Sequence, residues 1–200
     1  SEQVQKTVVD TDGNWSVRLK PRKASAVPLR IRIQSAEDVV ELTDVLVGEV
    51  WVCAGQSNME WMLRQSAHGK EELESPDHPD LRLLHLRAGA RGSGGVYREA
   101  ELARLRPEKF CEGQWEVASG DSAPEFSAVA WYFGRYLQEQ LGVPVGLICP
   151  AVGGSPTEAW IPREALQADQ DLAPLVDGNW LDNIRLRSEE HTSELQSPMY

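Results

Sequence analysis

The chain has 200 residues, of which 41% are hydrophobic and 26% charged, and it carries a formal charge of −11 with a pI near 4.8. That size suits one domain, or one domain with part of another, in a globular composition. The acidity argues against nucleic acid or an anionic membrane surface as a partner, and no apolar run reaches the length of a membrane span. Ser1 is not preceded by a charged-then-apolar leader, so no signal peptide is expected within these residues. Cys53, Cys111 and Cys149 are too few and too scattered for a disulfide framework or a zinc site. Cys53 and Cys149 lie in apolar strand patterns and read as small buried hydrophobes.

Residues 1–46 have a β pattern. Val8-Val9 leads into an Asp12-Gly13-Asn14 turn, after which Trp15, Val17 and Leu19 alternate with polar residues. Leu29, Ile31 and Ile33 alternate likewise, and Val39-Val40-Glu41-Leu42 forms a third short segment. Three one-faced strands cannot close a sandwich, so these residues read as the last strands of a β module. From Val45 the pattern changes to apolar strands alternating with helices, which predicts a parallel sheet. Val45–Cys53 reads as a buried strand, residues 58–74 as a helix broken before Pro76, and Leu81–Leu86 as a second strand. Arg87–Gly95 is loop. Trp115 opens a short segment, and Val129, Phe133, Tyr136, Leu137 and Leu141 define one face of an amphipathic helix that Gly142 and Pro144 stop. Val145–Ile148 is a third strand, and Pro156-Thr157-Glu158-Ala159-Trp160 starts another helix.

Gly55-Gln56-Ser57-Asn58-Met59 follows the first of these buried strands. A serine at such a strand-to-helix turn suits a nucleophile, because the helix N–H groups beside it can hold an oxyanion. Ser57-Asn58-Met59-Glu60 also fits a capping box, so a purely structural cap is the competing reading. The block Val47-Gly48-Glu49-Val50-Trp51-Val52-Cys53-Ala54-Gly55-Gln56-Ser57-Asn58-Met59-Glu60-Trp61 resembles the nucleophile block of the sialate O-acetylesterase family, which are SGNH-type carbohydrate esterases. Pro144–Ile148 followed by Gly153-Gly154-Ser155-Pro156-Thr157-Glu158-Ala159-Trp160 is similar to a second family block, with Ser155 where threonine is usual. Ser127–Arg135 resembles the family's helix start. Three blocks in order, across residues 8–165, are more specific than any one of them.

The resemblance implies an α/β fold of SGNH-hydrolase (flavodoxin-like) type, a parallel sheet with helices, preceded by the remnant of a β-sandwich or jelly-roll module. The expected division is 1–46 for that module and 47–186 for a partial esterase domain. Residues 187–200 match no continuation of an esterase sheet and resemble a translated adapter-type stretch, the alternative being a natural polar tail.

By the same resemblance Ser57 is the nucleophile and contributes its own N–H to the oxyanion site. Gly154 at the turn after the third strand is the expected second donor, since glycine permits close backbone approach there. As a lone signal, Gly153-Gly154 is equally a tight turn. Gln56 and Asn58 would contact substrate or pin the turn. Glu158 and Trp160 would line a sugar site, with Trp160 as plain core the other reading. The family's base comes from a late Asp-x-x-His pair. The residues three positions before the histidines here are Gln65, Ser75, Arg82 and Ser188, none of them aspartate. His85 reads as structural, and the fragment alone is expected to be nearly inactive.

The expected partner is an O-acetylated sugar or glycan, with no nucleic acid, no membrane and no metal or organic cofactor, because a serine mechanism is self-sufficient. Extracellular glycans as substrates would place the full-length protein in the periplasm or outside the cell. An acetylxylan-type esterase and a non-catalytic carbohydrate-binding module are the alternatives, and the sequence leaves the oligomeric state open.

Overall fold

The N-terminal residues make less regular structure than their alternation predicts. In the computed structural model, which describes residues 2–75, 77–89 and 110–176, residues up to 24 contain no strand. The Asp10–Asn14 turn does form: Asp10 N–H donates to the Asn14 carbonyl at 2.9 Å, and Gly13 takes φ 85°. Val8, Val9, Trp15, Val17 and Leu19 around it stay exposed.

Regular pairing begins with β1 (Ser25–Gln34) and β2 (Val39–Val47), an antiparallel ribbon in register from Ile31–Leu42 to Gln34–Val39. Its turn is closed by Ser35, whose hydroxyl accepts from Glu37 N–H and Asp38 N–H. A jelly-roll module would need more strands than these two.

Val45–Cys53 is not one buried strand. The chain breaks at Gly48, where a Cβ would lie 1.9 Å from the Pro144 carbonyl oxygen, and resumes as β3 (Glu49–Val52). β3 is an edge strand, and Val50, Trp51 and Val52 are 61%, 42% and 65% exposed.

The main sheet has the order β3-β8-β4-β7, with β4 (His78–His85), β7 (Trp115–Ala118) and β8 (Val145–Cys149). β8 is parallel to both β3 and β4, whereas β7 adds antiparallel to β4, so the sheet is mixed rather than all parallel. The short pair β5 (Arg87–Ala88) and β6 (Cys111–Glu112) lies beside it.

The helix predicted over 58–74 is three pieces: α1 (Ser57–Glu60), a 3₁₀ turn (Leu63–Gln65) and α2 (Gly69–Leu73). Met62 leaves helical geometry at φ −72°, ψ 143° to bridge Ser127. Gly69 is buried where a Cβ would meet the Leu63 carbonyl at 1.9 Å. Tertiary contacts override the helical pattern here.

α3 (Ala128–Leu141) has the predicted extent, with Ser127 Oγ accepting from Ala130 N–H at its start and Gly142 in the left-handed region (φ 62°) at its end. Its buried face is not the predicted one. Ala128, Ala130, Trp131 and Gly134 face the sheet with Leu137 at their margin, while Val129, Phe133, Tyr136 and Leu141 remain exposed. Small residues let the helix close onto β8, and a Cβ on Gly134 would be 2.5 Å from Leu147 Cδ1. The core beneath comprises Leu63, Leu81, Leu83, Phe126, Trp131, Val145 and Leu147, with Cys53 and Cys149 buried as predicted. Pro156–Trp160 yields a 3₁₀ turn (Thr157–Trp160), followed by α4 (Arg163–Ala168).

No helix among the described residues is long and apolar enough to cross a membrane. The stretch 90–109 and the predicted tail 187–200, with His191, lie outside the described residues.

Candidate active site

β3 and β8 run parallel side by side, and the turns leaving their carboxyl ends stay together beyond the strands. Cys53 N–H donates to the Ile148 carbonyl at 2.7 Å, Gly55 bridges Ala151, and Val152 N–H donates to the Gly55 carbonyl at 3.0 Å. This puts Ser57, two residues after Gly55, beside the Gly153-Gly154 turn. Carboxyl ends of neighbouring parallel strands are where open α/β sheets present ligand sites.

The tie between the two turns is Glu60. Its Oε2 accepts from Gly153 N–H at 2.8 Å. A Cβ on Gly153 would sit 2.5 Å from that oxygen and 3.5 Å from Ser57 Oγ. The capping box therefore does not form: Gln56 is the N-cap of α1 and its side chain makes no capping bond, while the Glu60 carboxylate reaches across to the neighbouring turn. Met59 anchors α1 from below. It packs against the core, its Sδ accepts from Ser127 Oγ at 3.4 Å, and a Cβ on Gly55 would be 3.0 Å from Met59 Cβ.

Ser57, Gln56 and Asn58 are exposed, and no hydrogen bond among the described residues involves their side chains, so Gln56 and Asn58 do not pin the turn. Gly154 is exposed at φ 76°, a left-handed conformation that favours glycine, with open space where a Cβ would be. Glu158 is half-buried on the 3₁₀ turn. Trp160 is not core: the residue is 37% exposed, and its Nε1–H donates to Ser155 Oγ at 3.0 Å, which in turn donates to the Val152 carbonyl at 2.7 Å. Ser155 thus sets the orientation of Trp160.

Ser57 also opens into a depression of about 210 Å³ that it lines with Glu60, Trp61, Met62 and Gln65. Glu60, Trp61 and Gln65 are absent from the site expected from the sequence, where Gly153 enters only as part of a glycine turn. Only the spacing of Ser57 and Glu60 hinted at one of them, and it pointed to a cap.

None of the described histidines hydrogen-bonds to Ser57. His68 is the N-cap of α2, and His85 Nδ1 accepts from Arg87 Nε–H at 3.5 Å while its ring meets Phe126 edge-on. His78 starts β4 and meets Trp131 edge-on, with ring centroids 5.6 Å apart. Burial, then the Arg135 guanidinium, hold its pKa below the ordinary 6.5. Burial raises the Cys149 thiol to about 11, so the thiol beneath the site stays protonated at neutral pH. No group of His, Cys, Asp and Glu residues among those described could hold a metal ion.

The mixed sheet, with a serine and a glycine turn at adjacent parallel strand ends, defines an α/β hydrolase-like fold. The chain matches no protein-family model. It is 32% identical to the sialate O-acetylesterase of Rattus norvegicus over 180 residues, covering 84% of this chain and 31% of that protein. The human sialate O-acetylesterase is 32% identical over 164 residues, covering 77% and 29%. A crystal structure of a carbohydrate acetylesterase from Xanthomonas citri superposes with a TM-score of 0.65 at 33% identity, over 81% of this chain and 34% of that one. The chain belongs to the sialate O-acetylesterase family. It spans about a third of the length of the curated relatives it matches.

Proposed function

We propose that this chain carries the nucleophile half of an SGNH-type carbohydrate O-acetylesterase, of sialate O-acetylesterase kind. The observation that carries the reading is Ser57 beside the Gly153-Gly154 turn, the two held by the Glu60 carboxylate. Ser57 Oγ attacks the acetyl carbonyl and gives its proton to a base. The sugar alcohol leaves, and water then releases acetate from the acetyl-serine. The backbone N–H groups of Ser57 and Gly154, which donate to no acceptor among the described residues, hold the oxyanion. Gln56, Asn58, Glu158 and Trp160 are proposed as sugar contacts. The residues around Ser57 suit an acetylated sialate or an acetylated xylan alike, and the similarity to sialate O-acetylesterases favours sialate.

The base is not in this sequence, since no histidine follows an aspartate by three positions. Residues 1–46, of which the paired strands begin only at Ser25, are proposed as part of a preceding β module, and 47–186 as part of the esterase domain.

The test is chemical rescue. Hydrolysis of 4-nitrophenyl acetate by the 200-residue chain should be slow and should rise with added imidazole, a diffusible substitute for the missing base. The rise must exceed that of Ser57→Ala at the same imidazole concentration. Equal rates in the two proteins would remove Ser57 as nucleophile. Ordinary esterase rates without imidazole would show that a base is already present.

A further inference from the structure

We infer that Trp61, with the Gln65 amide beside it, is a pyranose-stacking subsite next to Ser57. This deepens the esterase reading and rests on it. Trp61 lines the depression that contains Ser57 and is 54% exposed. Its backbone is fixed on both sides. The Trp61 carbonyl accepts from Ala128 N–H at 2.8 Å, Met62 bridges Ser127, and Leu63, fully buried, donates its N–H to the Phe126 carbonyl at 2.8 Å. Among the described residues the indole has neither a hydrogen bond nor a ring partner.

The other exposed tryptophans of the sheet and its turns differ. Trp51 lies edge-on to Phe133, Trp115 covers Gly146, and Trp160 has its N–H taken by Ser155. An indole left open on a fixed backbone beside a reactive hydroxyl offers a large apolar face with little ordering cost, which suits the C–H face of a sugar ring. Met62 extends the apolar wall, and the exposed Gln65 amide supplies both a donor and an acceptor for ring hydroxyls. The acetyl carbon would then lie toward Ser57, with the ring over Trp61.

The measurement is ¹⁹F NMR of the full 200-residue chain carrying Ser57→Ala and 5-fluorotryptophan, which gives one resonance for each of the seven tryptophans. Trp61→Phe assigns the Trp61 signal. The probes are methyl 6-O-acetyl-β-D-glucopyranoside and 9-O-acetyl-N-acetylneuraminic acid, titrated separately. The Trp61 signal is expected to shift saturably with at least one probe, and Trp61→Ala to weaken that binding by at least about threefold. A stationary Trp61 signal overturns the subsite, whether Trp15, Trp115 or Trp160 moves instead or nothing moves. The rescued hydrolysis of 4-nitrophenyl acetate, which contains no sugar, separates the two claims. Rescue without a Trp61 shift removes the subsite alone, and a Trp61 shift without rescue leaves a sugar site and removes the esterase.

Discussion

Glu60 decides how the serine turn meets its neighbour, and its role follows from one hydrogen bond and one steric limit. Gly153→Ala would place a methyl group 2.5 Å from Glu60 Oε2, displacing the carboxylate from the Gly153 N–H. A half-exposed, charge-assisted bond of this kind contributes about 1 kcal/mol. Gly153→Ala and Glu60→Ala should therefore lower the urea midpoint by similar amounts, and the double variant should cost little more than either. Additive losses would mean the two residues act separately. Glu60→Gln keeps an acceptor and should lose less. This role was hidden in the sequence because Ser57-x-x-Glu60 has the spacing of a capping box, and local spacing cannot report an acceptor used by a turn 93 positions away. The turn that carries Ser57 was legible, since an apolar strand pattern and Gly55 lead into it.

At the scale of elements, α3 shows why amphipathic pattern and packing part company. The largest apolar residues define one face, yet the face with Ala130 and Gly134 is the one that closes on Leu147. Gly134→Ala gains about 1 kcal/mol of helix propensity but overpacks a core position, at about 1–3 kcal/mol. A net fall in thermal midpoint is expected, and a rise would mean that Leu147 has room to move.

The same helix carries a polar network. Arg135 and the Trp131 indole N–H both donate to Glu72 Oε2, and Arg135 also pairs with Glu139 at 2.9 Å. Burial would raise the Glu72 carboxyl, but these donors outweigh it and hold it below the ordinary 4.5. His78 faces this network, with Arg135, Glu72, Glu139 and Asp77 as its charged neighbours, and its pKa is lowered. Protonating His78 thus favours the unfolded chain. Stability should begin to fall as pH drops below about 6.5 and keep falling until the folded-state pKa is passed. Glu72 adds a further loss below about 4.5. Urea midpoints of the wild type and of His78→Gln between pH 7.5 and pH 5, roughly the range of histidine titration, check the first part. The slope should flatten in the variant, and an unchanged slope would place the titrating group elsewhere.

For the whole molecule, the sequence told the class of fold from the switch between alternating and continuous apolar runs, and three ordered blocks told the family. It did not tell that β3 is an edge. A continuous apolar run suits a strand covered on both faces, but the run Val45–Val52 divides between a ribbon strand and an edge strand at Gly48. The face of the sheet away from α3 carries Val50, Val52, Trp115 and Val117, each at least 37% exposed. Among the described residues nothing pairs with the outer side of β3.

An exposed apolar edge strand promotes edge-to-edge association, while a net charge of −11 opposes it. The balance should depend on salt. At low ionic strength the repulsion reaches about 30 Å and keeps chains apart, whereas at physiological salt it is screened within about 8 Å and the edge can pair. Sedimentation velocity of the 200-residue chain should therefore show association that increases with both concentration and salt. Val52→Lys puts a charge on the edge and should shift the chain back toward monomer at every salt concentration, although it lowers the magnitude of the net charge. Charge and edge thus make opposite predictions for that variant. Greater association of Val52→Lys would mean that net charge, not the β3 edge, governs how the chain behaves in solution.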